Sequence, residues 1–219
     1  FVEKLVGNAR FSEYMKRFGF GQRTGTGLPA ELPGNIRNLE NLKSDIQFFT
    51  ASFGQGVATT PMQMVNAYAA LANGGTLMRP RIIDRIVHAD GDEEVVQPEA
   101  VRQVVSADTA AAMGKMLRSV VVNGHGKRAD VPGYLVGGKT GTAQVAKGNA
   151  KGYEDGVSIG SFVGYAPIED PKFVVLVKLD NPKNVEWAES SAAPTFGEIM
   201  KFLLEYAKIR PTEEIKEKR

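Results

Sequence analysis

The sequence predicts an α+β fold, an antiparallel sheet packed with helices, and three observations carry that prediction. A stretch of helical apolar spacing opens at Thr60-Pro61 with Gln63 three residues after the threonine. After Gly133 the apolar pattern becomes strand-like in three runs joined by short connections. Beyond Pro194 it returns to helical spacing. Of the 219 residues 42% are hydrophobic and 24% charged, enough for one substantial core or two small ones. Residues 1–211 read as part of one domain. It is mainly helical with a small hairpin over 1–132, then a three-stranded meander and a final helix over 133–211; a charged tail occupies 212–219.

From Phe1 to Phe20, the residues Val2, Leu5, Val6, Phe11, Tyr14, Met15 and Phe18 predict one or two short helices closing on Gly19 and Gly21. Gln22 to Asn38, broken by Gly25, Gly27, Pro29, Pro33 and Gly34, reads as a surface loop. A loop of that length is functional or braced by its neighbours. Thr60, Pro61 and Gln63 form a capping box with proline at the first helical position. Met62, Val65, Tyr68, Ala69 and Ala72 supply that helix with an apolar stripe, and Asn73-Gly74-Gly75 ends it. A second helix from Ser106 to Asn123-Gly124 is expected to bury Met113, Met116, Leu117, Val120 and Val121. Between the two, Arg81 to Val87 and Glu94 to Val96 read as a satellite hairpin around Asp90-Gly91-Asp92.

Leu135 to Val145, Ser158 to Ala166 and Phe173 to Leu179 are the three strands, with a turn at Pro167 to Pro171. The last is a continuous apolar run expected to be buried on both faces. Pro194 starts the final helix, with Phe196, Ile199, Met200, Leu203 and Ala207 on one face and Pro211 at its end.

Composition excludes several classes of function. Lys+Arg 27 against Asp+Glu 25 leaves a net charge of +2, too balanced for a nucleic-acid partner. The absence of cysteine removes disulfides, thiolate zinc sites and cysteine nucleophiles, and two histidines, His88 and His125, do not make a metal centre. No cofactor is expected. No run approaches the roughly 20 apolar residues of a membrane span. A first residue of Phe1 rather than Met points to a piece of a longer precursor, with any anchor or export signal outside it.

Chemistry concentrates in Gly137-Gly138-Lys139-Thr140-Gly141-Thr142-Ala143. A lysine flanked by hydroxyls and three glycines contradicts ordinary strand composition, so something approaches this backbone closely. An edge strand offers its free N–H and C=O groups to an extended peptide. Gly141 admits that peptide without a Cβ clash, the threonine hydroxyls can bind a carboxylate, and Lys139 adds a fixed positive charge. A glycine-relieved edge strand with a solvated lysine accounts for the same residues equally well. Strand alternation turns Lys139 and Gly141 to one face and Thr140 and Thr142 to the other, so all four serve one cleft only if it lies off the strand's edge.

Lys139-Thr140-Gly141-Thr142 resembles the Lys-Thr-Gly element of penicillin-binding proteins and class A β-lactamases. Four more segments resemble the transpeptidase domain of that family in the same order. They are Gly54-Gln55-Gly56 with Thr59 to Gln63, Ala67 to Gly75, Ser161 to Pro167, and Ala192 to Ile199. Ser161-Phe162-Val163-Gly164 is similar to the class B enzymes of the division and spore-cortex type. The resemblance covers nearly the whole chain.

It implies a serine D,D-transpeptidase that cross-links peptidoglycan stem peptides ending in D-Ala-D-Ala through an acyl-enzyme, and that β-lactams acylate. By resemblance, Lys139 serves the proton-transfer network and holds the substrate carboxylate. Thr140, Gly141 and Thr142 bind substrate, and the Thr142 N–H is one oxyanion donor. The family's nucleophile lies in Ser-x-x-Lys, aided by Ser-x-Asn, and none of the nine serines here fits either pattern. The chain therefore resembles the C-terminal half of the domain. Alone it is expected to be inactive, to need the missing N-terminal half as a partner, and to self-associate through an exposed edge at Phe173 to Leu179.

The family implies the extracytoplasmic face of a bacterial membrane and contacts with other cell-wall synthesis proteins. A carboxypeptidase or β-lactamase relative is the competing enzyme; a β-lactam sensor or an inactive division scaffold is the competing non-enzyme. Gln144 to Gly156, with Lys147 and Lys151, reads as a solvated hairpin loop in preference to a mobile lip over the cleft, His88 and His125 as surface residues, and Trp187 with Glu186 and Glu189 as a loop where the family more often has tyrosine followed by glycines.

Overall fold

A computed structural model describes residues 2–148, 152–183, 185 and 187–212. Phe1, Lys151, Glu186 and residues 213–219 of the tail, for which the sequence raised expectations, lie outside the described residues. The chain divides into two compact units, residues 1–70 with 74–107 and residues 71–73 with 108–219.

In the first unit a π-helical turn at Val2–Val6 leads into α1 (Asn8–Arg17). The stretch after it runs without regular structure to a bridge between Asn35 and Ala58. A 3-10 turn at Arg37–Glu40 and α2 (Asp45–Ser52) follow, neither foreseen from sequence. Phe48 is the buried residue of α2 and meets Phe11 of α1 edge-on, with ring centroids 5.9 Å apart.

The capping box starts α3 (Pro61–Ala72) as expected: the Thr60 N–H donates to Gln63 Oε1 at 3.0 Å, and the Gln63 N–H to Thr60 Oγ1 at 3.2 Å. The buried face differs from the predicted stripe. Met62, Val65, Tyr68, Ala69 and Ala72 are half-buried, whereas Gln63, Ala67 and Ala70 are buried. Gln63 Nε2 donates to the carbonyls of Gln22 at 2.6 Å and Pro33 at 2.7 Å. The glutamine thus braces the long loop from beneath, and a polar side chain satisfied in this way can occupy the inner face.

Four short strands complete the unit: β1 (Thr76–Met78), β2 (Arg85–Val87), β3 (Glu93–Val95) and β4 (Ala100–Gln103). β2 and β3 form the expected hairpin, although residues 81–84 are not strand. β1 pairs with β4, a match of short, distant segments with no readable period. Phe20, Ile36, Leu39, Phe48 and Ala67 form one small core, and Ala70, Leu77 and Val104 another.

The second unit carries α4 (Ala107–Asn123), which buries Ala110, Gly114, Leu117 and Val121. Of the expected core residues, Met116 is exposed, and Met113 and Val120 are half-buried. The sheet presents the bulky Tyr165 to α4, and a Cβ on Gly114 would come within 2.9 Å of its hydroxyl oxygen. Small residues of α4 therefore take the inner face and displace the methionines.

The predicted meander is present as β5 (Gly137–Ala146), β6 (Tyr153–Ala166) and β7 (Phe173–Asp180), antiparallel in that order; pairing of Gln144 with Ser158 and of Ala146 with Tyr153 makes both ends of the expected Gln144 to Gly156 loop strand. β7 corrects the expectation of a strand buried on both faces: Val177 is buried, Phe173, Val174, Val175, Leu176 and Leu179 are half-buried, and Lys178 and Asp180 are exposed. β7 lies at the sheet border, with Phe173, Val175, Val177 and Leu179 in or against the helix-side core.

That helix is α5 (Ala192–Tyr206), starting two residues before Pro194. Phe196 and Met200 are buried as expected, but Leu204 replaces Leu203 and Ala207, and Ile199 is exposed. The buried set follows steps of four from Phe196, whose ring centroid lies 4.6 Å from that of Phe162 on β6. The helix ends before Pro211, with Lys208 at φ 54.

Candidate active site

Antiparallel pairing sets the faces of β5. Gly138 lies opposite Gly164, Lys139 opposite Val163, Thr140 opposite Phe162, Gly141 opposite Ser161 and Thr142 opposite Gly160. Opposed residues share a face. Thr140 and Thr142 therefore lie on the α5 side with Phe162, while Lys139 and Gly141 lie on the other side with Val163 and Ser161. The glycines are needed for more than one approach. A Cβ on Gly138 would stand 2.5 Å from the Phe162 ring, so this glycine makes room for the core aromatic. A Cβ on Gly141 would meet only Ser161 Oγ, at 2.7 Å.

β5 hydrogen-bonds to β6 on one side and, among the described strands, borders the sheet on the other. The Lys139 side chain bends along its strand: Nζ donates to the Thr140 carbonyl at 2.8 Å and to Thr140 Oγ1 at 3.3 Å. An ammonium from one face thus meets a hydroxyl from the opposite face. Lys139 and Thr142 are exposed, and Thr140 and Gly141 are half-buried. An exposed ammonium beside a hydroxyl can bind an anionic terminus through charge-assisted hydrogen bonds, each worth about 1.5–3 kcal/mol.

The 3-10 turn Ala188–Ser190 leads toward α5, and the Ala188 N–H donates to Thr142 Oγ1 in a long bond of 3.4 Å. This turn is tied to the end of α4, since His125 Nδ1 lies 2.6 Å from Glu189 Oε2. His125 is 83% exposed, as a surface histidine should be, and His88 stands beside Glu94 at 3.9 Å on the satellite hairpin. Trp187 is exposed. Among the described residues no cluster of three or more His, Cys, Asp or Glu side chains could hold a metal ion.

Residues 2–201 match the family model described as the penicillin-binding protein transpeptidase domain. The chain belongs to this family. Stage V sporulation protein D of Bacillus subtilis is 41% identical over 216 residues, covering 96% of this chain and 33% of the relative. The penicillin-binding protein PbpB of Mycobacterium tuberculosis is 40% identical over 214 residues, covering 93% and 31%. Among solved structures, penicillin-binding protein 3 of the same species complexed with ampicillin superposes with a TM-score of 0.88 at 35% identity. The match covers 97% of this chain and 49% of that one. The chain thus spans about a third of the length of these curated relatives.

Of the four residues chosen from sequence, the structure joins Lys139 to Thr140 through Nζ, while Gly141 and Thr142 follow on the same strand with Thr142 held by the Ala188 N–H. Two neighbours received no role from sequence. Ser161 stands opposite Gly141 and its Oγ donates to the Gly141 carbonyl at 3.4 Å; its place inside the Ser161-Phe162 segment was the signal that could have singled it out. Ala188 acts through its main chain, which leaves no trace in residue type.

Proposed function

We propose that this chain supplies the substrate-binding strand of a serine D,D-transpeptidase. The enzyme cross-links peptidoglycan stem peptides through an acyl-enzyme and is acylated by β-lactams. The observation that carries the reading is the meeting of Lys139 Nζ with Thr140 Oγ1 at the border of β5. There a peptide ending in D-Ala-D-Ala adds beside β5 as an extended strand, with its carboxylate bound by Lys139 and the hydroxyls of Thr140 and Thr142. The N–H and C=O of one residue point to the same side of a strand and successive residues alternate, so Thr140 and Thr142 share a side. A Thr140 carbonyl within reach of an ammonium therefore supports an outward Thr142 N–H, the oxyanion donor. Gly141 keeps the approach free of a Cβ.

None of the 219 residues forms a Ser-x-x-Lys or Ser-x-Asn element. The acylated serine, its lysine and the second oxyanion donor come from another segment of the full-length enzyme. The chain alone is accordingly inactive. No helix among the described residues is long and apolar enough to cross a membrane. The extracytoplasmic location implied by a cell-wall substrate rests on an anchor outside these residues.

The test is the rate of acylation of the full-length protein by a fluorescent penicillin. Lys139→Ala should slow it by roughly 10- to 100-fold, the loss of one or more charge-assisted hydrogen bonds, whereas Lys147→Ala on the neighbouring loop should leave it unchanged. Equal effects of the two would place the cleft elsewhere. A full-length protein that forms no adduct would favour the inactive-scaffold reading.

A further inference from the structure

The first unit contains a cavity of about 150 Å³ with a strongly cationic wall. Arg23 comes from the loop after α1, Arg79 from the residue following β1, and Arg102 from β4; no carboxylate lines the space. Gln22, Thr24, Gln63 and Asn66 add neutral polar groups to the wall, and Phe18, Leu77 and Val101 form an apolar side.

The three guanidinium groups differ in how they are neutralised. Arg79 is paired, its Nε and Nη2 donating to the two carboxylate oxygens of Glu99 at 2.6 and 2.9 Å. Glu31 contributes its field to Arg23, but its oxygens are taken by the Thr24 N–H, the Thr24 hydroxyl and the Gly25 N–H. Arg102 has one long bond, from Nη2 to Gln22 Oε1 at 3.4 Å, and its Nε is buried with no acceptor. Among the described residues, neither Arg23 nor Arg102 has a carboxylate at ion-pair distance.

Like charges around a partly enclosed space repel more strongly than in bulk water. One ligand chemistry relieves this. An oxyanion offers several acceptors in the fork geometry that guanidinium groups match, and its charge offsets the excess. The space would hold only a few waters, since each occupies about 30 Å³ in the liquid, so the group is small. We infer that this cavity binds a small oxyanion, a phosphate or a carboxylate, between Arg23 and Arg102.

The experiment uses the full-length protein at constant ionic strength, titrated calorimetrically with inorganic phosphate in one arm and acetate in the other. At least one ion should bind saturably at one per chain. Binding should weaken by roughly tenfold or more, as for loss of one charged hydrogen bond, in Arg23→Gln and in Arg102→Gln, and stay unchanged in Arg10→Gln on the exposed face of α1. The arm that responds identifies the ligand as a phosphate or a carboxylate. Arg23 is exposed in a loop, so its variant remains informative even if Arg102→Gln fails to fold. The inference is overturned if neither ion binds saturably, if Arg23→Gln binds like wild type, or if Arg10→Gln weakens binding equally.

Discussion

Replacing Gln63 by leucine keeps the volume of the side chain and removes every hydrogen bond it makes. The residue is fully buried. Its amide accepts from the Thr60 N–H at 3.0 Å and donates to the carbonyls of Gln22 and Pro33 at 2.6 and 2.7 Å, with a marginal bond to the Gly19 carbonyl at 3.5 Å. Leucine would leave one N–H and these carbonyls without their partner. A net loss near 1 kcal/mol per bond, with part of the desolvation cost of each stranded group, brings the total to about 3–5 kcal/mol. The damage should be local, because the Nε2 bonds hold the loop between α1 and the Asn35–Ala58 bridge. Hydrogen exchange of the full-length protein is the assay, read at the amides of Asn35 and Ala58, which pair with each other across that bridge at 2.6 and 2.9 Å. A loss of about 3 kcal/mol speeds exchange through local opening by roughly two orders of magnitude. Thr60→Ala, which removes only the hydroxyl acceptor, should cost about 1 kcal/mol. Rates within about threefold of wild type for Gln63→Leu would refute the reasoning and mean that water serves the stranded carbonyls.

Two further outcomes follow from the same packing logic. Gly138→Ala should destabilise the sheet unit by about 1–3 kcal/mol, because the added methyl meets the Phe162 ring at 2.5 Å and the Val163 carbonyl oxygen at 2.8 Å. In a double-mutant cycle read by thermal melts, Gly138→Ala should cost less in a Phe162→Leu background than in the wild type, and an equal cost would place the strain at the Val163 carbonyl. The Thr24 hydroxyl bond, helped by the Thr24 and Gly25 amides, holds the Glu31 carboxyl below its ordinary value of 4.5. A carboxylate depressed on folding stabilises fully above its unfolded value, and the contribution fades as pH falls through the folded one. Hydrogen exchange in the 22–34 loop should therefore rise, relative to its intrinsic rate, as pH drops below the usual carboxylate range. Glu31→Gln should flatten that dependence, and an unchanged slope in the variant would assign it to another group.

Much of this protein was legible as local pattern. The capping box at Thr60 and Gln63, the three runs of the meander and the Lys139-Thr140-Gly141-Thr142 element each depend on residues close in sequence, where spacing maps onto geometry through fixed periods of 2 and 3.6. The family was legible for the same reason, since five short segments in order survive any change in what lies between them. Tertiary structure decided which side of each helix turned inward. Gln63, Gly114 and Leu204 lie inside while Met116 and Ile199 lie outside, because inward position depends on the shape and hydrogen-bonding needs of the opposing element, which no periodicity records. It also decided that β1 finds β4, and that Lys139 reaches across its strand to the Thr140 hydroxyl. Strand alternation alone separates those two groups; the length of the lysine side chain and the open border of β5 bring them together.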